Sequence, residues 1–101
     1  MSILQEVLGE EEQVMLAKRL AVIVLLLEQK SLYSIAHSLK LSPATAQRIK
    51  ENFDTGQYHT IVKQLQTSKR NYYMILEMLD SILHVGGILP HYNGPDRSRR
   101  R

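Results

Sequence analysis

The side chains best suited to a chemical role in this 101-residue chain lie between positions 40 and 50. Gln47 can form a pair of hydrogen bonds with adenine, and Arg48 can bind guanine in the same way or bind a phosphate. Ala44 can contact a thymine methyl group, and Thr45 lies beside it toward the phosphate side. These residue types predict contacts with the base edges of double-stranded DNA.

Three more side chains in this stretch could bind the DNA backbone. Ser42 is expected on the phosphate side, and Lys40 and Lys50 add positive charge. A helix that begins at Pro43 also presents its N-terminal N–H groups to a phosphate. The complete set of predicted DNA-binding residues is Lys40, Ser42, Ala44, Thr45, Gln47, Arg48 and Lys50.

Two short helices joined by a tight turn must position these side chains. Ser31 is a favourable N-cap for the first helix, and Ser42 caps a second helix in which Pro43 takes the first position. Lys40 occupies the turn position that often needs a left-handed residue, for which glycine is best suited. The apolar inner face of the pair is formed by Ile35, Ala36, Leu39, Leu41, Ala46 and Ile49. This spacing predicts a helix-turn-helix at 32–53.

The remaining sequence is also predicted to be helical, because apolar residues recur at helical spacing and no stretch sustains the period-2 alternation of a strand. The further helices are expected at 3–8, 10–28, about 58–65 and 71–85. We therefore expect an all-α fold, a bundle of short helices. It would comprise a helical DNA-binding and dimerisation domain at 1–88 and a flexible basic tail at 89–101.

Residues 20–27 form an apolar run without a polar face. A helix of this kind must be buried on several sides, and in a chain this short a partner chain is one way to bury it. We therefore expect a homodimer. The run is far shorter than the ~20 residues needed to cross a bilayer, and the N-terminus does not resemble a signal peptide, so a cytoplasmic protein is expected.

Composition and charge exclude several other classes of protein. Because the chain has no cysteine, disulfides, thiolate zinc sites and a cysteine nucleophile are excluded. The four histidines lack metal-binding spacing, and no phosphate-binding loop or nucleophile elbow occurs, so neither a metal site nor an enzyme is expected. The net charge is only +3, but residues 31–70 carry six basic and two acidic side chains, which suits a polyanionic partner.

Three stretches of the sequence resemble the Trp-repressor superfamily, and in particular its Trp-repressor-like branch. They are Ala17-Lys18-Arg19-Leu20, Tyr33-Ser34-Ile35-Ala36 and Ser42-Pro43-Ala44-Thr45-Ala46-Gln47-Arg48, and the segment 53–58 is similar as well. The resemblance covers roughly residues 8–66. It implies an all-helical, intertwined homodimer that presents two helix-turn-helix heads to a palindromic operator.

The same resemblance implies a place for a small effector. In tryptophan-binding members, one arginine of the reading helix and one before the long apolar helix hold the amino acid. Arg48 matches the first of these, and Arg19 or Lys18 matches the second. The residues at 49–51 are Ile, Lys and Glu where those members have small residues. L-tryptophan or another small effector is the ligand implied, and no other cofactor is expected.

Together these patterns predict a sequence-specific DNA-binding transcriptional regulator, most simply a repressor. The alternative is a non-enzymatic dimeric helical adaptor, in which the same two helices pack against another protein instead of DNA. A change at Arg48 distinguishes the two, because it would weaken DNA binding and leave protein binding almost unaffected.

Overall fold

A computed structural model describes residues 6–7 and 9–84 of the chain. Its helices are α1 (Glu10–Leu27), α2 (Leu32–Leu39), α3 (Pro43–Asp54), α4 (His59–Thr67) and α5 (Lys69–Leu83). No strand occurs within the described residues, and the predicted all-α fold is confirmed. Of the helix predicted at 3–8, only residues 6 and 7 are described, and both are helical. The predicted tail at 89–101 lies outside the described residues.

Serine hydroxyl groups set the starts of three helices. Ser31 and Ser42 each accept a hydrogen bond at 3.1 Å from the N–H group three residues later, and both starts were predicted. Ser68 caps α5 in the same way at 3.2 Å, so α5 begins at Lys69 and not at the predicted Asn71. It ends at Leu83, two residues before the predicted end, because the next residue has a left-handed backbone.

The apolar segment of α1 is enclosed by the rest of the same chain. Residues 21–25 are each at most 2% exposed, and α2, α3 and α5 pack against α1. Helix α4 packs on α5 and adds Leu65 to the core, where Leu76 and Leu79 of α5 also lie. The burial that led us to expect a partner chain is thus supplied within one chain. In the part of the chain described, no helix has the length and apolar character needed to cross a membrane.

A side-chain hydrogen bond joins distant parts of the sequence. The Tyr72 hydroxyl donates to the Glu28 carboxylate at 2.7 Å, which ties α5 to the residue that follows α1. Both residues line an open cleft of about 520 Å³, together with Leu27, Leu65, Lys69 and Tyr73. Burial raises the pKa of Tyr72 well above its ordinary value of 10.0, and the hydrogen bond and negative charge of Glu28 raise it further.

Tyr72→Phe should remove both this hydrogen bond and the tyrosine whose raised pKa makes it ionise only at high pH. We expect the part of the tyrosinate absorbance that appears last as pH is raised to be missing from the variant. Because the Tyr72 pKa is higher in the folded state, its contribution to the free energy of unfolding is complete below pH 10.0 and declines above it. At neutral pH the variant should lose about 1 kcal/mol in urea unfolding.

Tyr33 provides the matched control for this experiment. It is exposed, and within the described residues its hydroxyl forms no hydrogen bond. Tyr33→Phe should therefore leave the last part of the absorbance rise and the free energy of unfolding unchanged. A Tyr72→Phe variant that keeps the last part of the absorbance rise would contradict the burial of Tyr72 and its bond to Glu28.

Candidate nucleic-acid interface

Helices α2 and α3 form a tight hairpin. Between the last residue of α2, Leu39, and the first of α3, Pro43, the backbone of Lys40 is left-handed, with φ 57° and ψ 47°. The Leu41 N–H donates to the Ala36 carbonyl at 2.9 Å and closes the end of α2. The turn has the left-handed residue that the sequence predicted at Lys40, at a cost of about 1–2 kcal/mol for a residue with a Cβ atom.

The inner face of the hairpin is buried as the sequence predicted. The buried side chains are Ile35, Ala36, Leu39, Ala46 and Ile49, and Leu41 is half-buried. On a helix, side chains three and four positions apart share a face. Burial of Ala46 and Ile49 therefore turns the two residues between them away from the core.

The outward face of α3 carries the predicted base-reading side chains. Ala44, Gln47 and Arg48 are exposed, whereas Thr45, the fourth predicted reader, is half-buried. Within the described residues Arg48 forms no hydrogen bond or ion pair, so its guanidinium is available to a ligand. The Gln47 amide nitrogen donates to the Glu51 carboxylate at 3.3 Å. Gln47 keeps its carbonyl oxygen and a second N–H, which are the two groups that adenine requires.

Some of the side chains predicted to bind the DNA backbone already have partners within the hairpin. The Ser42 hydroxyl donates to the Thr45 hydroxyl oxygen at 2.9 Å while it accepts from the Thr45 N–H. The Lys50 ammonium pairs with the Asp54 carboxylate at 2.6 Å. The Lys40 side chain is exposed and has no hydrogen bond or ion pair in the part of the chain described. Lys40 is therefore the more available of the two lysines.

Charge is unevenly distributed along this surface. No Asp or Glu occurs from position 29 to position 50, a stretch that carries Lys30, Lys40, Arg48 and Lys50. Glu51 and Asp54 follow in the second half of α3. The sequence analysis did not predict that these two carboxylates hold Gln47 and Lys50, although the spacing of four residues indicates such pairs.

The residues implied for an effector are not joined by a hydrogen bond or an ion pair in the described part of the chain. On α1, Lys18 is half-buried and Arg19 is exposed, and no hydrogen bond or ion pair joins either to Arg48 within residues 6–7 and 9–84. The cleft beside Tyr72 is lined by none of the three. A search of the same residues finds no group of three side chains able to hold a metal ion.

Comparison with known proteins finds no relative. No family model, curated protein or solved structure matches the chain. The geometry and chemistry of the hairpin are therefore the basis on which a function can be proposed.

Ala46 and Ala44 provide a matched test of the packing that orients α3. Ala46 is 0% exposed, whereas Ala44, two residues earlier, is exposed. Ala46→Leu should overfill the core and lower the free energy of unfolding by about 1–3 kcal/mol. Ala44→Leu should change it by less than about 0.5 kcal/mol. Urea unfolding measures both, and equal losses in the two variants would contradict the orientation of α3.

Proposed function

We propose that the chain is a non-enzymatic, sequence-specific regulator of transcription, most simply a repressor, in which α2 and α3 bind double-stranded DNA as a helix-turn-helix of the Trp-repressor-like kind. The observation that carries the proposal is the division of α3 into two faces. Ala46 and Ile49 are buried in the hairpin, while Ala44, Gln47 and Arg48 are exposed together. Side chains able to discriminate base edges therefore project from a helix whose other side is fixed by packing.

Each exposed side chain of α3 suits a particular contact in the major groove. Arg48, which has no partner within the described residues, would pair with the O6 and N7 atoms of guanine. Gln47 is restrained by its bond to Glu51, so it has less side-chain freedom to lose when it binds adenine. Ala44 would contact the methyl group of thymine.

The backbone contacts of the proposed complex come from the turn and the start of α3. Lys40 supplies an exposed ammonium group that has no partner among the residues the structure describes. At the N-terminus of α3, Pro43 has no N–H and the Thr45 N–H is bound to Ser42, so the Ala44 N–H is the group left for a phosphate. Thr45 keeps its hydroxyl hydrogen for a phosphate, since its oxygen accepts from Ser42. Lys50 contributes less because Asp54 already neutralises it.

Arg48→Ala tests base reading directly. Fluorescence anisotropy with random and genomic duplexes first identifies a preferred duplex. The variant should bind that duplex more weakly by about 1–3 kcal/mol, or about 5- to 150-fold, with little change for an unrelated duplex. Arg70→Ala, which removes an exposed cation from α5, is the charge-matched control and should bind nearly as the wild type does.

The same titrations, repeated at several salt concentrations and with an effector, distinguish DNA binding from the adaptor alternative. The acidic second half of α3, with Glu51 and Asp54, is the feature that favours a protein partner. Contacts to phosphates make the logarithm of affinity fall steeply with the logarithm of salt concentration. Each titration is run with and without L-tryptophan. Absence of binding to any duplex at low salt in both conditions would reject DNA binding in favour of the adaptor.

A homodimer is the second part of the proposal, because two copies of α3 can read the two halves of a palindromic operator. Packing of α1 does not require the dimer, but Val7 and Met15 leave apolar surface exposed near the start of the described chain. Light scattering should give a mass near twice 11.6 kDa. A folded monomer at low micromolar concentration would contradict this part of the proposal.

A further inference from the structure

Helix α2 carries an aromatic pair on its outer face. Tyr33 is 82% exposed, more than any other large apolar or aromatic side chain in the described residues, so it adds little to the core. The ring of His37, one helical turn later, stacks on the Tyr33 ring, with centroids 6.2 Å apart and planes 10° from parallel. His37 is exposed as well. Packing of the fold does not account for this pair.

Lys40 extends the pair toward the turn. Positions 33 and 37 are four residues apart and share one side of α2, and Lys40, three residues after His37, is the C-terminal cap of this helix. Their hydroxyl, imidazole and ammonium groups form no hydrogen bond or ion pair within the part of the chain described. Helix α2 contains no acidic residue. We call Tyr33, His37 and Lys40 the donor face.

We propose that the donor face binds phosphates of the DNA backbone beside the groove that α3 enters. This inference rests on the proposed function and adds a second contact surface to it. A phosphodiester presents only hydrogen-bond acceptors and a negative charge, which match a set of donors that no carboxylate engages within the described residues. Lys40 also belongs to the turn that leads into α3, so the donor face and the reading residues can engage adjacent parts of one site.

Tyr33 has two separable roles on the donor face. Its hydroxyl can donate to a phosphate oxygen. Its ring also restricts rotation of the His37 imidazole, so that less side-chain freedom is lost when the imidazole contacts DNA. Tyr33→Phe keeps the stacked ring and removes only the hydroxyl, whereas Tyr33→Ala removes both.

Contacts to phosphates carry no sequence information, so the donor face should affect every duplex alike. In anisotropy titrations, Tyr33→Ala and His37→Ala should weaken binding to the preferred duplex and to a scrambled duplex by the same factor, about two- to tenfold. Tyr33→Phe should fall between the wild type and Tyr33→Ala. Lys40→Ala should reduce the slope of log affinity against log salt by about one.

His59→Ala is the matched control, because His59 is an exposed histidine at the start of α4, the helix that packs on α5. It should bind both duplexes as the wild type does. Urea unfolding accompanies each titration. Since Tyr33 and His37 are exposed, their variants should have the same urea midpoint of unfolding as the wild type. Weaker binding by these variants then comes from the lost contacts and not from a loss of stability.

The possible failures of this inference and of the proposed function are distinct. Wild-type affinity in Tyr33→Ala and His37→Ala, alongside lost selectivity in Arg48→Ala, would overturn the donor face and retain the DNA-binding function. Losses confined to the preferred duplex would make these residues base readers and overturn the inference as well. A fall to the monomer mass in Tyr33→Ala would assign the face to a protein contact. A wild-type protein that binds no duplex would reject both proposals.

Discussion

Helix α1 has no polar face between Leu20 and Leu27, and the other described helices are arranged to remove this segment from water. Burial of apolar area is the main favourable contribution to folding, and it supplies about 25 cal/mol per Å². Helix α5 provides one part of the cover, and the hairpin of α2 and α3 provides another. The polar contact between Tyr72 and Glu28 holds α5 against the end of α1 as well. The hairpin of α2 and α3 thus packs where it does because the apolar segment of α1 must be removed from water.

The same burial decides which side chains remain available to a ligand. Once Ala46 and Ile49 pack into the core, the helical period leaves Gln47 and Arg48 no position except the outer surface. A buried polar group would need an internal partner, whereas Arg48 is exposed and needs none. The proposed DNA-reading surface is therefore the side of α3 that faces away from the core, and the same few apolar residues determine both.

Much of this structure could be predicted from local signals. Ser31 and Ser42 indicated helix starts because a cap depends only on residues within one turn, and the helical period indicated the inward and outward faces of α3. What covers α1 could not be predicted, since periodicity shows that a surface is buried but not which chain buries it. Nor could the bond between Tyr72 and Glu28, whose positions are 44 residues apart. The exposure of Tyr33 was equally hidden, because exposure of an aromatic residue depends on the packing around it.

The placement of charge along α3 limits how this helix can approach a polyanion. Glu51 and Asp54 make the second half of the helix acidic, whereas the half from Pro43 to Arg48 has no carboxylate. That first half is about 9 Å long, which corresponds to about two to three base-pair steps of DNA. A helix that enters a groove with this half alone can therefore contact only very few base pairs. In the proposed dimer on DNA, selectivity across a genome would then depend on the distance and relative rotation of the two sites that the two copies of α3 contact, so changes in half-site spacing would be penalised more heavily than many single-base changes.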